Sequence, residues 1–351
     1  MSDAVRAALA TIVEGGTLSV DEARLAMGAV MDGEATPSQL AALLMGLRMR
    51  GETIEELTGF ATAMRERVLQ VPAPEGTIDV VGTGGDGSHT FNISTTSALV
   101  VAASGVPVAK HGNRAITSKA GSADVLDALG VRIDHDTASA ATALSTLGFA
   151  FLFAPGFHPA MKHAGPTRRE IGVRTAFNLI GPLTNPAGAT RGLFGVGDPV
   201  AAPKMAEVLR ALGSARALII HGDGVDELPL DGSGIVYDVT PAGVERRTID
   251  AATYGLKRAK TSALAGGDPA ENAKLAQGVL HGESGARRDV VLLNAGAALL
   301  AAGTVDSIEA GIERAALTID AGLAVELLEA LRAERREAEA TRAAEPAGAN
   351  A

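Results

Sequence analysis

Residues 80 to 95 read VVGTGGDGSHTFNIST, and no other segment limits the possible fold so tightly. A short apolar run passes through Gly82, Gly84, Gly85 and Gly87 into Asn92-Ile93-Ser94-Thr95, which opens a stretch of helical character. Strand, glycine loop and helix in direct succession make a β-α unit. Glycines let main-chain N–H groups approach a ligand closely. A helix start adds unpaired donors and a partial positive charge. The segment therefore predicts a phosphate cradle at a sheet edge.

The rest of the chain fits an α/β frame. Short apolar runs at Ile78–Val81, Val106–Lys110, Phe149–Phe153 and Ala217–Ile220 read as buried strands. Helical stretches at Ser94–Ser104 and Ser122–Leu129 lie between them, which implies βαβ units and a mainly parallel sheet. Ile235–Val239 and Arg246–Ile249, around Pro241 and Gly243, predict an edge hairpin, and Asp289–Ala302 a buried helix. Upstream, the first seventy residues read as helices. Ser19 with Glu22, Thr36-Pro37 with Gln39, and Thr53 with Glu56 are start signals. The expected architecture is a small N-terminal helical domain over 1–72, a link at Pro72 and Pro74, and a larger α/β domain over 76–333. Residues 334–351, rich in Ala, Glu and Arg, are expected to form a solvated tail.

Charge narrows the function. The 351-residue chain carries a formal net charge of −10, which disfavours nucleic acid and membrane surfaces as partners. Within it lie two basic islands. No acid occurs from Gly87 to Ala123, where Lys110, Arg114 and Lys119 stand. From Pro155 to Arg191, Lys162, Arg168, Arg169, Arg174 and Arg191 face only Glu170. Such islands suit a small polyanion. The chain has no cysteine, so disulfides and thiolate metal sites are excluded. No apolar run approaches the ~18 residues needed to span a bilayer. The first residues lack the basic start and long apolar stretch of a signal peptide, so a cytoplasmic location is expected.

Gly82-x-Gly84-x-x-Gly87 matches the dinucleotide fingerprint, but that site needs an acid about 20 residues on to hold a ribose. None is present, and the second strand ends in Lys110. Lys110-His111-Gly112-Asn113-Arg114 follows that strand and should reach the same crevice as the glycine loop, with Thr117, Ser118 and Ser122 adding hydroxyls. Asp226-Glu227 lies in an Asp-Gly-rich loop past strand 217–220. Alone it reads sooner as a solvent-facing turn. Beside a phosphate loop it suits Mg²⁺, which takes one or two carboxylates with phosphate and water oxygens. One of Arg168 and Arg169 could clamp a carboxylate, while the other is expected to be solvated or to pair with Glu170.

Taken together, GTGGDG (82–87), TFNIST (90–95), KHGNR (110–114), HPAMKHAGPTRREIGVRTAFNLIGPLTNP (158–186), DE (226–227) and GGDPAEN (266–272) make the chain resemble the anthranilate phosphoribosyltransferase family of tryptophan biosynthesis. The resemblance spans about residues 5–330. It implies a homodimer and a helical domain made discontinuous by a returning segment at about 169–187. It implies that phosphoribosyl pyrophosphate contacts Gly82, Gly85, Asp86, Thr90, Asn92, Ile93, Ser94, Thr95, Lys110, His111, Gly112, Asn113, Arg114, Ala115, Ile116, Thr117, Ser118 and Ser122. Two Mg²⁺ ions are implied, one on Ser94 and Glu227, the other on Asp226 and Glu227. Anthranilate would lie near Gly82, His111, Asn113, Arg168 and Pro182, with Arg168 favoured over Arg169. His111, Asn113 and Arg168 make up the implied catalytic set. His111 is expected to orient or shield the amine rather than take its proton. Thr117 and Ala120 stand where the family often has serine, and Ser88-His89 is a less familiar filling of the loop.

Two other readings remain open at this level. Pyrimidine nucleoside phosphorylases are similar in fold but need no acidic metal pair. Nucleic-acid-binding relatives of the fold would need a broad basic surface.

Overall fold

The computed structural model describes residues 1–115 and 119–344. Four helices open the chain: α1 (Asp3–Val13), α2 (Val20–Met31), α3 (Pro37–Arg50) and α4 (Ile54–Arg65). Each of α2, α3 and α4 starts at an expected capping box, on Ser19, Thr36 and Thr53. Glu56 does more than close its box. Its buried carboxylate accepts the main-chain N–H of Leu18 (2.9 Å) and of Thr53 (3.0 Å) and meets the Arg50 guanidinium. One side chain thus ties the start of α4 to the turn before α2 and the end of α3.

The chain continues with β1 (Ile78–Gly82), α5 (Ile93–Ala103), β2 (Val108–Gly112), α6 (Ser122–Ala128), α7 (Thr137–Leu147) and β3 (Phe149–Phe153). Three short helices follow: α8 (Ala154–Phe157), α9 (Gly165–Ile171) and α10 (Ala176–Ile180). Then come β4 (Arg191–Gly195), α11 (Ala201–Ala211), β5 (Arg216–Gly222), β6 (Ser233–Thr240) and β7 (Gly243–Asp250). Helices α12 (Pro269–Leu280), α13 (Ala286–Ala302), α14 (Ile308–Asp320) and α15 (Leu323–Ala344) complete the described chain.

The seven strands lie in the order β3-β2-β1-β4-β5-β6-β7. β1 to β5 are parallel; β6 and β7 form the expected antiparallel hairpin. Ile78 is in register with Val108 on one side and Arg191 on the other. Strand order therefore reverses between β1 and β4. At such a point the outgoing loops diverge and leave a crevice beyond the strand ends. Alternate strand residues face opposite ways. Val80, Phe149, Phe151 and Leu218 pack with α5, α6 and α12 to α15. Phe194, Val196, Ala217 and Ile219 pack with α11 and with the cores of α1 to α4. Ala176, Phe177, Ile180 and Leu183, within residues 169–187, belong to that second cluster, as does Ala164.

Three sequence expectations change. β2 runs to Gly112, so His111 is a strand residue rather than part of a loop. β4 was not expected, because Arg-Gly-Leu-Phe-Gly offers only two large apolar residues between glycines. Of the tail expected over 334–351, residues 345–351 lie outside the described residues, and 334–344 are helical, the last turns of α15. Their charges dock on α6 and on the connection from it to α7: Glu334 on Arg132 (2.9 Å), Arg335 on Asp127 (2.9 Å) and Arg342 on Asp134 (2.6 Å).

Candidate active site

The β1–α5 loop stands at the switch point. Thr83 N–H donates to Gly195 O (2.8 Å), pinning the end of β1 to the end of β4. Gly84 and Gly85 then turn through positive φ of 61° and 65°, a conformation that favours glycine. A Cβ on Gly82 would collide with the Asp226 carboxylate, so only glycine lets β1 and the β5 loop close on each other here. The loop is braced from behind by the 266–272 stretch. Gly266 N–H donates to His89 O (2.9 Å), and Asn272 Nδ2 to Asn92 Oδ1 (2.9 Å). Asn92 is the residue before α5 but makes no side-chain cap, which leaves the first-turn N–H groups without one.

Three carboxylates meet at the loop. Oxygens of Asp86, Asp226 and Glu227 lie within 4.8 Å of one another. Gly84 N–H donates to Asp226 Oδ2 (2.8 Å). Burial, then the neighbouring Asp86 charge, raises the Asp226 carboxyl above its ordinary range. Burial, then Asp226 and Asp86, raises Glu227 well above its own. Glu227 Oε2 is buried with no hydrogen-bond partner. Mutually repelling carboxylates with an orphaned oxygen form a donor set that fits a hard divalent cation. Asp86, which the sequence reading gave to the phosphoribosyl donor alone, belongs with this cluster. Its signal was that it is the only acid in the glycine loop.

Two expected cations are engaged elsewhere. Lys110 is 1% exposed, and its ammonium donates to Val80 O underneath the loop. Burial lowers its pKa, while Asp79, Asp226 and Glu227 oppose that shift. Asp79 is fully buried beside it and accepts from His111 N–H (3.2 Å) and Asn185 Nδ2 (2.7 Å). Arg114 reaches outward to Asp124 (2.8 Å) and Asp127 (3.4 Å) of α6. The other donor-side residues stand on β1, β2, α5 and α6 or on the loops that leave the two strands. Gly82, Gly85, Asp86 and Thr90 lie on or beside the loop, Ile93, Ser94 and Thr95 in the first turn of α5, Gly112 at the end of β2, Asn113 and Ala115 just past it, and Ser122 at the start of α6. Thr95 Oγ1 is buried and unpartnered, and Ser122 Oγ donates to Asn113 O (3.3 Å). Ile116, Thr117 and Ser118 lie outside the described residues.

All five residues expected at the acceptor end line one cavity of about 500 Å³: Gly82, His111, Asn113, Arg168 and Pro182. The Arg168 guanidinium sits 4.7 Å over the Phe177 ring centre, and burial lowers its pKa. It makes no ion pair among the described residues. A partly desolvated guanidinium facing a cavity is a strong carboxylate binder. Arg169 is exposed at the same rim and does not pair with Glu170. His158 was not singled out in the sequence. Its Nε2 lies 3.2 Å from His111 Nε2, a direct hydrogen-bond contact within the cavity wall. Burial, then the neighbouring His158, pushes His111 down to about 3, and burial pushes His158 down to about 4. Both rings are neutral at physiological pH. The crevice thus joins an anion cradle and a cation site to an apolar slot ending in one guanidinium.

The matches to known proteins follow the same division. Residues 6–68 match the helical bundle domain of a glycosyl transferase family, and residues 75–325 its a/b domain. Anthranilate phosphoribosyltransferase of Pelotomaculum thermopropionicum is 49% identical over 329 residues, covering 93% of this chain and 95% of that protein. The Brevibacillus brevis enzyme of the same name is 51% identical over 283 residues, covering 80% of this chain and 83% of that protein. The crystal structure of the Thermus thermophilus anthranilate phosphoribosyltransferase superposes with a TM-score of 0.89 at 46% identity, covering 95% of this chain and all of that one. The enzyme from Saccharomyces cerevisiae in complex with PRPP and Mg superposes at 0.87 with 25% identity, covering 96% of this chain and 99% of that one.

Proposed function

The chain belongs to the anthranilate phosphoribosyltransferases of this glycosyl transferase family, and from that membership we propose how its crevice moves the 5-phosphoribosyl group of phosphoribosyl pyrophosphate onto the amine of anthranilate. The observation that carries the reading is the cavity of about 500 Å³ whose wall holds both Arg168 and Gly82 of the phosphate loop. A carboxylate at one end and a phosphorylated sugar at the other match that span of chemistry. Nucleoside phosphorolysis would leave the three carboxylates without a task.

In this reading the glycine loop and the α5 start hold the pyrophosphate through main-chain donors. Arg168 binds the anthranilate carboxylate, while Phe177 and Pro182 confine the ring. The amine nitrogen attacks C1 of the ribose; the C–N bond forms as the C–O bond to pyrophosphate breaks. The arylamine is nucleophilic in its neutral form, so positioning supplies much of the rate. Neutral His111 and His158 wall the slot without adding charge that would repel the cationic ribose. Asp86, Asp226 and Glu227, with Ser94, would hold Mg²⁺, as two ions. Bound there, Mg²⁺ neutralises charge gathering on the leaving pyrophosphate. Lys110, buried beneath, acts on that cluster through its field and not by contact.

The wider assignments are part of the same proposal. Residues 1–72 with 169–187 form the helical domain, and 76–333 the catalytic domain. Val13, Val20, Leu25 and Met49 expose apolar side chains on the helical part, which supports a homodimer formed there. The enzyme is placed in the cytoplasm, in tryptophan biosynthesis. No described helix is long and apolar enough to cross a membrane.

Loss of anthranilate fluorescence on adding phosphoribosyl pyrophosphate and Mg²⁺ tests the reaction directly. Omitting either should abolish the loss. Unchanged fluorescence with all components present would refute the reading.

A further inference from the structure

One residue joins the two ends of the crevice without belonging to the cradle or the cavity wall. Arg174 lies between α9 and α10, on the stretch that also carries Arg168, Phe177 and Pro182. Its Nη1 donates to Gly84 O (2.7 Å) and Gly85 O (3.0 Å). These are its only hydrogen bonds among the described residues, and the side chain is exposed, so it serves no core. Gly84 is held twice, its N–H by Asp226 and its carbonyl by Arg174. Thr83 of the loop and Asn178 of α10 share a wall. Both line the main cavity and a second one of about 220 Å³ behind it, which Arg174 also borders.

We propose that Arg174 is a positioning residue that couples the two substrates, holding the phosphate loop from the segment that binds the acceptor. Anthranilate on Arg168 fixes α9 and α10, which fixes Arg174. A fixed Arg174 keeps the Gly84 and Gly85 carbonyls turned toward it and lowers the entropy lost when the loop closes on a pyrophosphate. The effect is reciprocal by linkage, so a filled loop must tighten anthranilate binding by the same factor. The coupling rests on the crevice being the transferase site set out above.

Pyrophosphate with Mg²⁺ can fill the loop without allowing transfer, so anthranilate affinity can be read by its fluorescence with and without them. In the unaltered enzyme their addition should tighten anthranilate about tenfold, the scale of one charge-assisted hydrogen bond. Arg174→Gln should bring that ratio close to one while leaving affinity for anthranilate alone nearly unchanged. Arg174→Lys should restore most of it, since both bonds leave one nitrogen and an ammonium can supply them. A residue that merely stabilised the loop would weaken pyrophosphate binding but leave the ratio intact. A ratio of one in the unaltered enzyme, an unchanged ratio in Arg174→Gln, or no restoration by Arg174→Lys would each overturn the proposal. An unaltered enzyme that fails to consume anthranilate with phosphoribosyl pyrophosphate and Mg²⁺ would instead sink the assignment of the reaction.

Discussion

At the donor end of the crevice the groups offered to a ligand are main-chain N–H groups and carboxylates on strand-end loops. At the acceptor end they are ring faces, prolines and one guanidinium carried on short helices. The first kind of surface recognises charge and accepts small shifts of the chain. The second recognises shape and a single carboxylate, so it depends on close packing against α3 and α4. The two ends also respond to protons in opposite ways. Asp226 and Glu227 have raised pKa values and lose repulsion as they protonate. His111 and His158 have depressed values and resist protonation.

The contrast can be broken most severely at the donor end. Asp226→Ala with Glu227→Ala should lower kcat/KM on the order of a thousandfold and abolish the response to Mg²⁺. An unaltered Mg²⁺ titration would move the metal site elsewhere. Next in size is the acceptor end. Arg168→Ala should raise the KM for anthranilate by at least about thirtyfold, the cost of losing a desolvated charge partner. The KM for phosphoribosyl pyrophosphate should change by about twofold or less, and equal losses for both substrates would contradict the assignment.

Acid should separate the ends by sign. A histidine with a depressed folded pKa contributes stability that is full above its unfolded value of 6.5 and is lost as pH falls toward the folded value. For His111, His158 and the buried His135 the window runs from 6.5 down to about 3 or 4. Asp79, raised to about 6, works the other way: its share is full below 3.8 and lost as pH rises to about 6. Asp226 and Glu227 are raised like Asp79 and oppose the histidines with it. In the Asp226→Ala, Glu227→Ala variant three histidines face Asp79 alone, so its Tm should fall from pH 6.5 to 4.5. His158→Asn should make that fall shallower, and an unchanged slope would remove the acceptor rings from the account. The smallest effect lies away from both ends. Arg335→Ala should cost about 1 kcal/mol in denaturant unfolding, as for a partly exposed ion pair, with both KM values unchanged.

What could be read from the sequence follows the same divide. Loops that bind through main-chain groups are contiguous, so GTGGDG, KHGNR and Asp226-Glu227 were visible as motifs before any fold was known. The capping boxes were legible for the same reason, each lying within four residues. The acceptor slot gathers Gly82, His111, His158 and Pro182 from stretches a hundred residues apart. Composition and spacing say nothing about that convergence, and only the resemblance pointed to part of it. His158 escaped because a lone histidine carries no local pattern. The last turns of α15 escaped because their helix is held by ion pairs to Asp127 and Asp134, partners some two hundred residues away.

The hydrogen bond from Gly84 N–H to Asp226 Oδ2 has one further consequence. The cradle already grips an anion, and that anion is one of the groups proposed to bind the cation. Entry of the donor is therefore an exchange rather than an addition, since the pyrophosphate must displace a tethered carboxylate. A cation arriving at the same moment gives that carboxylate somewhere else to go. Neither newcomer displaces the resting contact well alone, so metal and pyrophosphate should enter most readily as a single neutralised unit.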